Sequence, residues 1–228
     1  GQHAMITSIT NPDARGDVRH FTDERDSEFG DYPGGTSNAI NITADNEGDW
    51  YMTDIRMVDV SENAVYTGKG NGYVVVENSF FKNCKTAAVR VTDGEMNNIS
   101  VVQDVNDLQT NSTNTMSSDP LFFNRGLWAQ SNDANPSIGP TIRDCDFDIK
   151  DYGDGNFAIG VNNQVGATTI QNCRVRCDQA DIGYSGLIYI AEPATEVVNE
   201  GIDLKYTIDG VALDGDAAGE WGAIAAWG

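Results

Sequence analysis

Thr141-Ile142-Arg143-Asp144-Cys145-Asp146-Phe147 and, one repeat later, Ile170-Gln171-Asn172-Cys173-Arg174-Val175 state the same phrase: apolar, any, polar, small or apolar, any, apolar. Outward from this pair, the phrase returns at Val76-Glu77-Asn78-Ser79-Phe80-Phe81 and Met96-Asn97-Asn98-Ile99-Ser100-Val101. A looser copy at Ile55-Arg56-Met57-Val58-Asp59-Val60 keeps the apolar positions without the polar third one. Successive copies begin 21, 20, 46 and 28 residues apart. Self-similarity at such a period marks a stack of units, each too small to bury its own apolar face. The gap of 46 spans two units on this reading, with an irregular one near Leu121-Phe122-Phe123.

A second apolar piece follows most copies: Ala64-Val65-Tyr66, Ala87-Ala88-Val89-Arg90-Val91, Phe157-Ala158-Ile159-Gly160-Val161, Gly186-Leu187-Ile188-Tyr189-Ile190 and Gly222-Ala223-Ile224-Ala225-Ala226. Each turn of the chain then supplies two short strands. Strand alternation sends Ile142, Cys145 and Phe147 inward together only if a bend at Asp144 shifts the parity by one. Asn and Asp suit that bend, because they tolerate left-handed dihedrals and hydrogen-bond neighbouring backbone. Asn78, Asn98, Asp144 and Asn172 are therefore expected above one another. Val58, Ser79, Ile99, Cys145 and Cys173 are expected in one inward ladder, and Val60, Phe81, Val101, Phe147 and Val175 in a second. No stretch sustains a 3.6-residue apolar period, so helix is confined to a short segment within Asp13 to Glu28 at most.

The run from Thr141 to Phe147, followed by Ala158-Ile159-Gly160-Val161, resembles the right-handed parallel β-helix repeat family, the pectate-lyase-like solenoids, over residues 52 to 228. That resemblance implies an all-β, single-stranded right-handed parallel β-helix of about seven irregular rungs. Its expected parts are a cloning remnant at 1–5, an N-terminal cap at 6–50 and the β-helix at 51–228, since a solenoid needs its terminal core covered. The family includes polysaccharide lyases and hydrolases, adhesins and viral tail spikes, so it implies an architecture far more than a chemistry.

Charge narrows the setting. Asp and Glu number 35 against 14 Lys and Arg, a formal net charge of −21. Self-repulsion on that scale opposes compaction in dilute buffer and is relieved when salt screens it. This balance resembles proteins of haloarchaea and their viruses, and an ordinary acidic secreted protein is the alternative reading. Nucleic acid is excluded as an expected partner, because clustered Lys and Arg are absent. No run approaches the roughly 20 apolar residues of a membrane-spanning helix. The expected location is extracellular, on a cell surface or a virion.

Cys145 and Cys173 fall at equivalent places in neighbouring units, close enough for a disulfide. Stacked side chains point in parallel and do not converge, which favours two buried thiols.

The acidic strand around Asp146 is the leading candidate for chemistry. Asp146 and Asp148 point outward together, and the next unit sets Arg174 and Arg176 beside them. With Tyr152 nearby as a substrate contact and Asp144, Asp151 and Asp154 as oxygen ligands, a lyase arrangement emerges, in which Ca²⁺ neutralises an acidic sugar while a base removes a proton. Ordinary cross-strand ion pairs look the same. Asp214 and Asp216, with Asp209 and Glu220, form a second acidic group able to take Ca²⁺, without the 12-residue spacing of an EF-hand. Trp128 and Trp221 are candidates for stacking on sugar rings, with Trp221 alternatively capping the last unit. Phe80, Leu127 and Trp128 on an outer face would suit a homotrimer, the alternative being a monomer.

The expected function is a non-catalytic surface protein that binds glycans or another surface partner at high salt. One alternative is a calcium-dependent polysaccharide lyase or carboxylate-based hydrolase with Asp146, Asp148 and Arg174 catalytic. The other is a trimeric viral tail-spike domain.

Overall fold

Among the described residues the chain forms eighteen strands and no helix. In chain order the strands are β1 (Ala4–Ile6), β2 (Ile40–Asn41), β3 (Trp50–Thr53), β4 (Arg56–Val58), β5 (Asn63–Tyr66), β6 (Val74–Lys82), β7 (Ala87–Val91), β8 (Gly94–Asp104) and β9 (Arg125–Ala129), and then β10 (Ile138–Arg143), β11 (Asp146–Asp151), β12 (Phe157–Val161), β13 (Ala167–Gln171), β14 (Arg174–Cys177), β15 (Ile188–Ile190), β16 (Tyr206–Asp209), β17 (Ala212–Gly215) and β18 (Ile224–Ala226). The computed structural model describes residues 4–6, 40–42, 48–58, 60, 63–67, 72–84, 87–104, 125–130, 138–151, 157–162, 166–178, 186–191, 205–215 and 222–226, with 4–6 and 151 as backbone only. The expected helix within Asp13 to Glu28 lies outside them.

Two all-parallel sheets result. The first has eleven strands along the path β1-β3-β6-β8-β10-β13-β16, with β4, β11, β14 and β17 continuing the same layers. The second runs β2-β5-β7-β9-β12-β15-β18. The chain visits the second sheet between successive layers of the first, which is the long crossover that parallel pairing requires. β1 and β2 lie within the stretch expected to be remnant and cap, and they pair with β3 and β5 as ordinary layers.

From the β3 layer onward each first-sheet layer turns at one residue with positive φ: Asp54 (59°), Asn78 (50°), Asn98 (50°), Asp144 (54°), Asn172 (52°) and Gly210 (62°). This is the expected parity-shifting bend, occupied by the residue types that best tolerate the left-handed region. The side chains bond up the stack, Asn98 Nδ2 donating to Asn78 Oδ1 (2.8 Å) and Asn172 Nδ2 to Asp144 Oδ1 (3.3 Å). Where the next residue is Ser or Cys, it turns inward and donates to the carbonyl two positions back: Ser79 Oγ to Glu77 O (2.7 Å), Cys145 Sγ to Arg143 O (3.1 Å), Cys173 Sγ to Gln171 O (3.3 Å). A small side chain with one hydrogen to donate is what a buried bend carbonyl needs. Cys84, Cys145, Cys173 and Cys177 are buried thiols, none in a disulfide, and the Cys145 thiol is pushed up in pKa by its hydrogen bond to Cys173 and by burial.

Inward ladders from both sheets meet in one core. The first sheet contributes Met57, Phe81, Val101, Phe147 and Val175 in register, and the second Val65, Val89, Leu127, Ile159 and Ile188. At roughly 1.5–3 kcal/mol per fully buried large apolar side chain, these columns supply the main stabilisation.

Register and burial correct three expectations and add one copy of the repeat. Met57 faces Phe81, so the early copy is Met52-Thr53-Asp54-Ile55-Arg56-Met57, and Ile55 and Met57 hold the places assigned to Val58 and Val60. Ile142 pairs directly with Met96 and Phe147 with Val101, so the gap of 46 residues holds a single repeat, and residues 121–123 lie outside the described ones. A further copy, Ile208-Asp209-Gly210-Val211-Ala212-Leu213, pairs with the strands at Ile170 and Val175. Leu127 faces the core with no exposed surface, so it cannot serve an outer trimer contact.

Candidate functional site

On the outer face of the first sheet, two columns of side chains cross the layers beside the bend. One runs Arg56, Phe80, Ser100, Asp146, Arg174, Ala212, and the other Val58, Lys82, Val102, Asp148, Arg176, Asp214. Strand alternation forces both outward, because their neighbours Phe81, Val101, Phe147 and Val175 are committed to the core.

Ser100, between Phe80 and Asp146, and Ala212, beside Arg174, leave room. The result is an open groove of about 620 Å³ whose walls include Phe80, Val102, Asp146, Asp148, Arg174, Arg176 and Asp214. It spans five layers, from β6 to β17, a run of about 19 Å at the spacing of adjacent strands. The expected quartet of Asp146, Asp148, Arg174 and Arg176 is thus brought together, with Asp146 opposite Arg174 and Asp148 opposite Arg176.

The charges are paired. Arg174 grips Asp146 with both ends of its fork, Nε to Oδ1 at 2.6 Å and Nη2 to Oδ2 at 2.8 Å. That bond lowers the Asp146 pKa below its ordinary value, against a smaller opposing effect of burial. Arg176 Nε donates to Asp178 Oδ1 at 3.1 Å, and Asp214 and Asp148 further favour its charge. Lys150 Nζ lies 3.9 Å from Asp148. A carboxylate held ionised by a bidentate guanidinium is a poor proton acceptor or donor near neutral pH, because its lone pairs are engaged and its pKa is far from the working range.

The other expected site residues lie apart. Asp144 occupies the bend and accepts from Asn172, away from the groove. Asp151 is described only as the last residue of β11, and Tyr152, Asp154, Asp216 and Trp221 lie outside the described residues. Among the described residues no group of three or more His, Cys, Asp or Glu side chains is placed to hold a metal ion. Trp128 is only 8% exposed, on the outer face of the second sheet. Its ring stacks on Phe157 at 5.1 Å, and Arg125 lies 4.5 Å from its centroid. Stacked and nearly buried, it is corrected from sugar platform and trimer contact to part of a sealed stack.

Phe80, Ser100, Val102 and Ala212 were not picked out in the sequence as groove walls. Their signal was available: each stands two or four residues after a bend residue, in the columns of Asp146 and Asp148. Among the described residues no helix is long and apolar enough to cross a membrane. Compared with family models, curated proteins and solved structures, the chain finds no match.

Proposed function

We propose that the chain is a single right-handed parallel β-helix of the pectate-lyase-like kind, displayed on a cell surface or virion in concentrated salt, and that it binds glycans along the first-sheet groove without cleaving them. The solenoid reading is supported by the alternation of the chain between two parallel sheets, layer after layer. Its handedness follows from the strong preference of parallel crossovers for the right-handed sense. The net charge of −21 supports the saline setting, since dense surface carboxylate is tolerated best where ions screen it.

The observation that carries the binding role is the pinning of Asp146 by Arg174 inside an open, layer-crossing groove. Rigid, preorganised polar groups beside an apolar wall suit recognition of an extended ligand. The same pinning removes the most obvious candidate for a general base.

Incubating the chain with polysaccharides at high salt, while following unsaturated products by absorbance together with reducing ends, separates binding from cleavage. Retention on a polysaccharide matrix with neither product is expected. Product formation that disappears in Asp146→Ala would establish the lyase or hydrolase reading instead.

A further inference from the structure

The groove's cations are already committed, and this limits the chemistry of a ligand. On the glycan-binding reading above, these commitments select the class of glycan. Arg174 spends two of its donors on Asp146, and Arg176 is held by Asp178 with Asp148 and Asp214 one layer to either side. With Lys150 against Asp148, this network holds four carboxylates and three cations, and the two further cations of the columns stand outside the walls, Arg56 over the Phe80 ring and Lys82 beyond Val102.

We infer that the groove takes an uncharged, hydroxyl-rich glycan, and not a polyuronate or a sulfated chain. An anionic sugar would either displace Asp146 from Arg174, exchanging one charge-assisted bidentate bond for another with no gain, or share a guanidinium whose charge Asp146 already offsets. It would also meet Asp148 and Asp214 at close range, in a chain of net charge −21. A sugar hydroxyl avoids both costs. It donates to the carboxylate oxygens of Asp148 and Asp214 and accepts from the remaining guanidinium hydrogens of Arg174, whose side chain is 75% exposed.

The apolar part of the groove fits the same ligand. Phe80 stands between Arg56 and Ser100 in its column, with the Arg56 guanidinium 4.4 Å from the ring centroid. On the Ser100 side only a small side chain follows, which leaves the ring and Val102 for the C–H face of a pyranose. Ring face at one end and paired charges at the other match the two surfaces of a neutral sugar.

The test is calorimetric titration of the whole chain at high salt with neutral polysaccharides (mannan, xylan, a β-glucan, dextran) and with polygalacturonate and dextran sulfate. At least one neutral chain is expected to bind, with affinity changing less than about threefold as salt is lowered, because an uncharged ligand offers no charge to screen. Ser100→Trp, which fills the groove without altering a charge, and Phe80→Ala are each expected to weaken that binding about tenfold or more. Asp146→Asn frees Arg174 and is expected to bring polyanion binding that grows as salt falls. Circular dichroism identifies any variant that fails to fold, and the two groove variants act independently. A polyanion bound more tightly than every neutral chain by the unaltered protein would overturn this inference while leaving the glycan reading intact. Neutral binding indifferent to both Ser100→Trp and Phe80→Ala would move the site elsewhere and overturn it as well. Binding of no polysaccharide of either kind would sink both.

Discussion

The outer faces of the two sheets use one geometry for opposite ends. On the second sheet, Trp128, Phe157 and Tyr189 stack at centroid separations of 5.1 and 5.4 Å, close to the spacing of the strands that carry them. Trp128, Gly160 and Tyr189 are partners across neighbouring strands, and Phe157 fills the place where Gly160 lacks a side chain. A Cβ on Gly160 would overlap the Phe157 ring and approach Trp128 Cε3 to 2.6 Å. That face is closed, and every residue of β12 is buried. On the first sheet, the same spacing sets acid beside base and leaves gaps at Ser100 and Ala212, so the face stays open. Parallel stacking therefore amplifies whatever residue type repeats: rings make a wall, and small or paired polar residues make a groove.

The sharpest way to break this contrast is to remove the wall. Phe157→Ala deletes a buried ring flanked by two others and is expected to cost about 3–5 kcal/mol in urea unfolding, with groove binding per folded molecule unchanged. A cost below about 1 kcal/mol would mean that the rings are ornamental. Gly160→Ala tests the vacancy itself and is expected to cost about 1–3 kcal/mol through overpacking. At the bend, Asn98→Val places a β-branched residue at positive φ and is expected to cost about 1–2 kcal/mol, whereas Asn98→Gly should be close to neutral. Equal effects from the two would argue that the left-handed bend carries no strain.

The smallest effect belongs to the groove. The Asp146 pKa is lowered in the folded chain, so the stabilisation from its ionised form is complete above the ordinary carboxylate range near 3.9 and is lost as pH falls through the lower folded value. The pair is exposed, so the change in stability is slight. Carbon-detected titration of the Asp146 carboxyl should give a midpoint below that of Asp in a model peptide, and Arg174→Met should restore the ordinary value.

What the sequence revealed, and what it hid, follows from the same stacking. Phe81, Val101, Phe147 and Val175 were legible as a ladder because a bend residue marks each copy. The Asp146 and Arg174 pairing then followed from register. The first copy slipped because Asp54 sits in a stretch where Met52, Ile55, Met57, Val58 and Val60 allow two framings. The last copy was hidden by Gly210, which adopts the bend without the Asn or Asp side chain that flagged the others. The long gap after Val101 imitated two repeats because loop length says nothing about how strands pair. The ring stack was beyond the pattern altogether, since it needs Phe157 to lie across Gly160 in the space between two other strands.

The central claim is that side chains one repeat apart lie directly above one another, building the core inside and the groove outside. Isotope-edited nuclear Overhauser spectroscopy on the Phe147 ring tests it most directly. Contacts to the methyl groups of both Val101 and Val175 are expected. Contacts to a residue between 105 and 124 in place of Val101 would insert another layer, separate Ser100 from Asp146 and dissolve the groove.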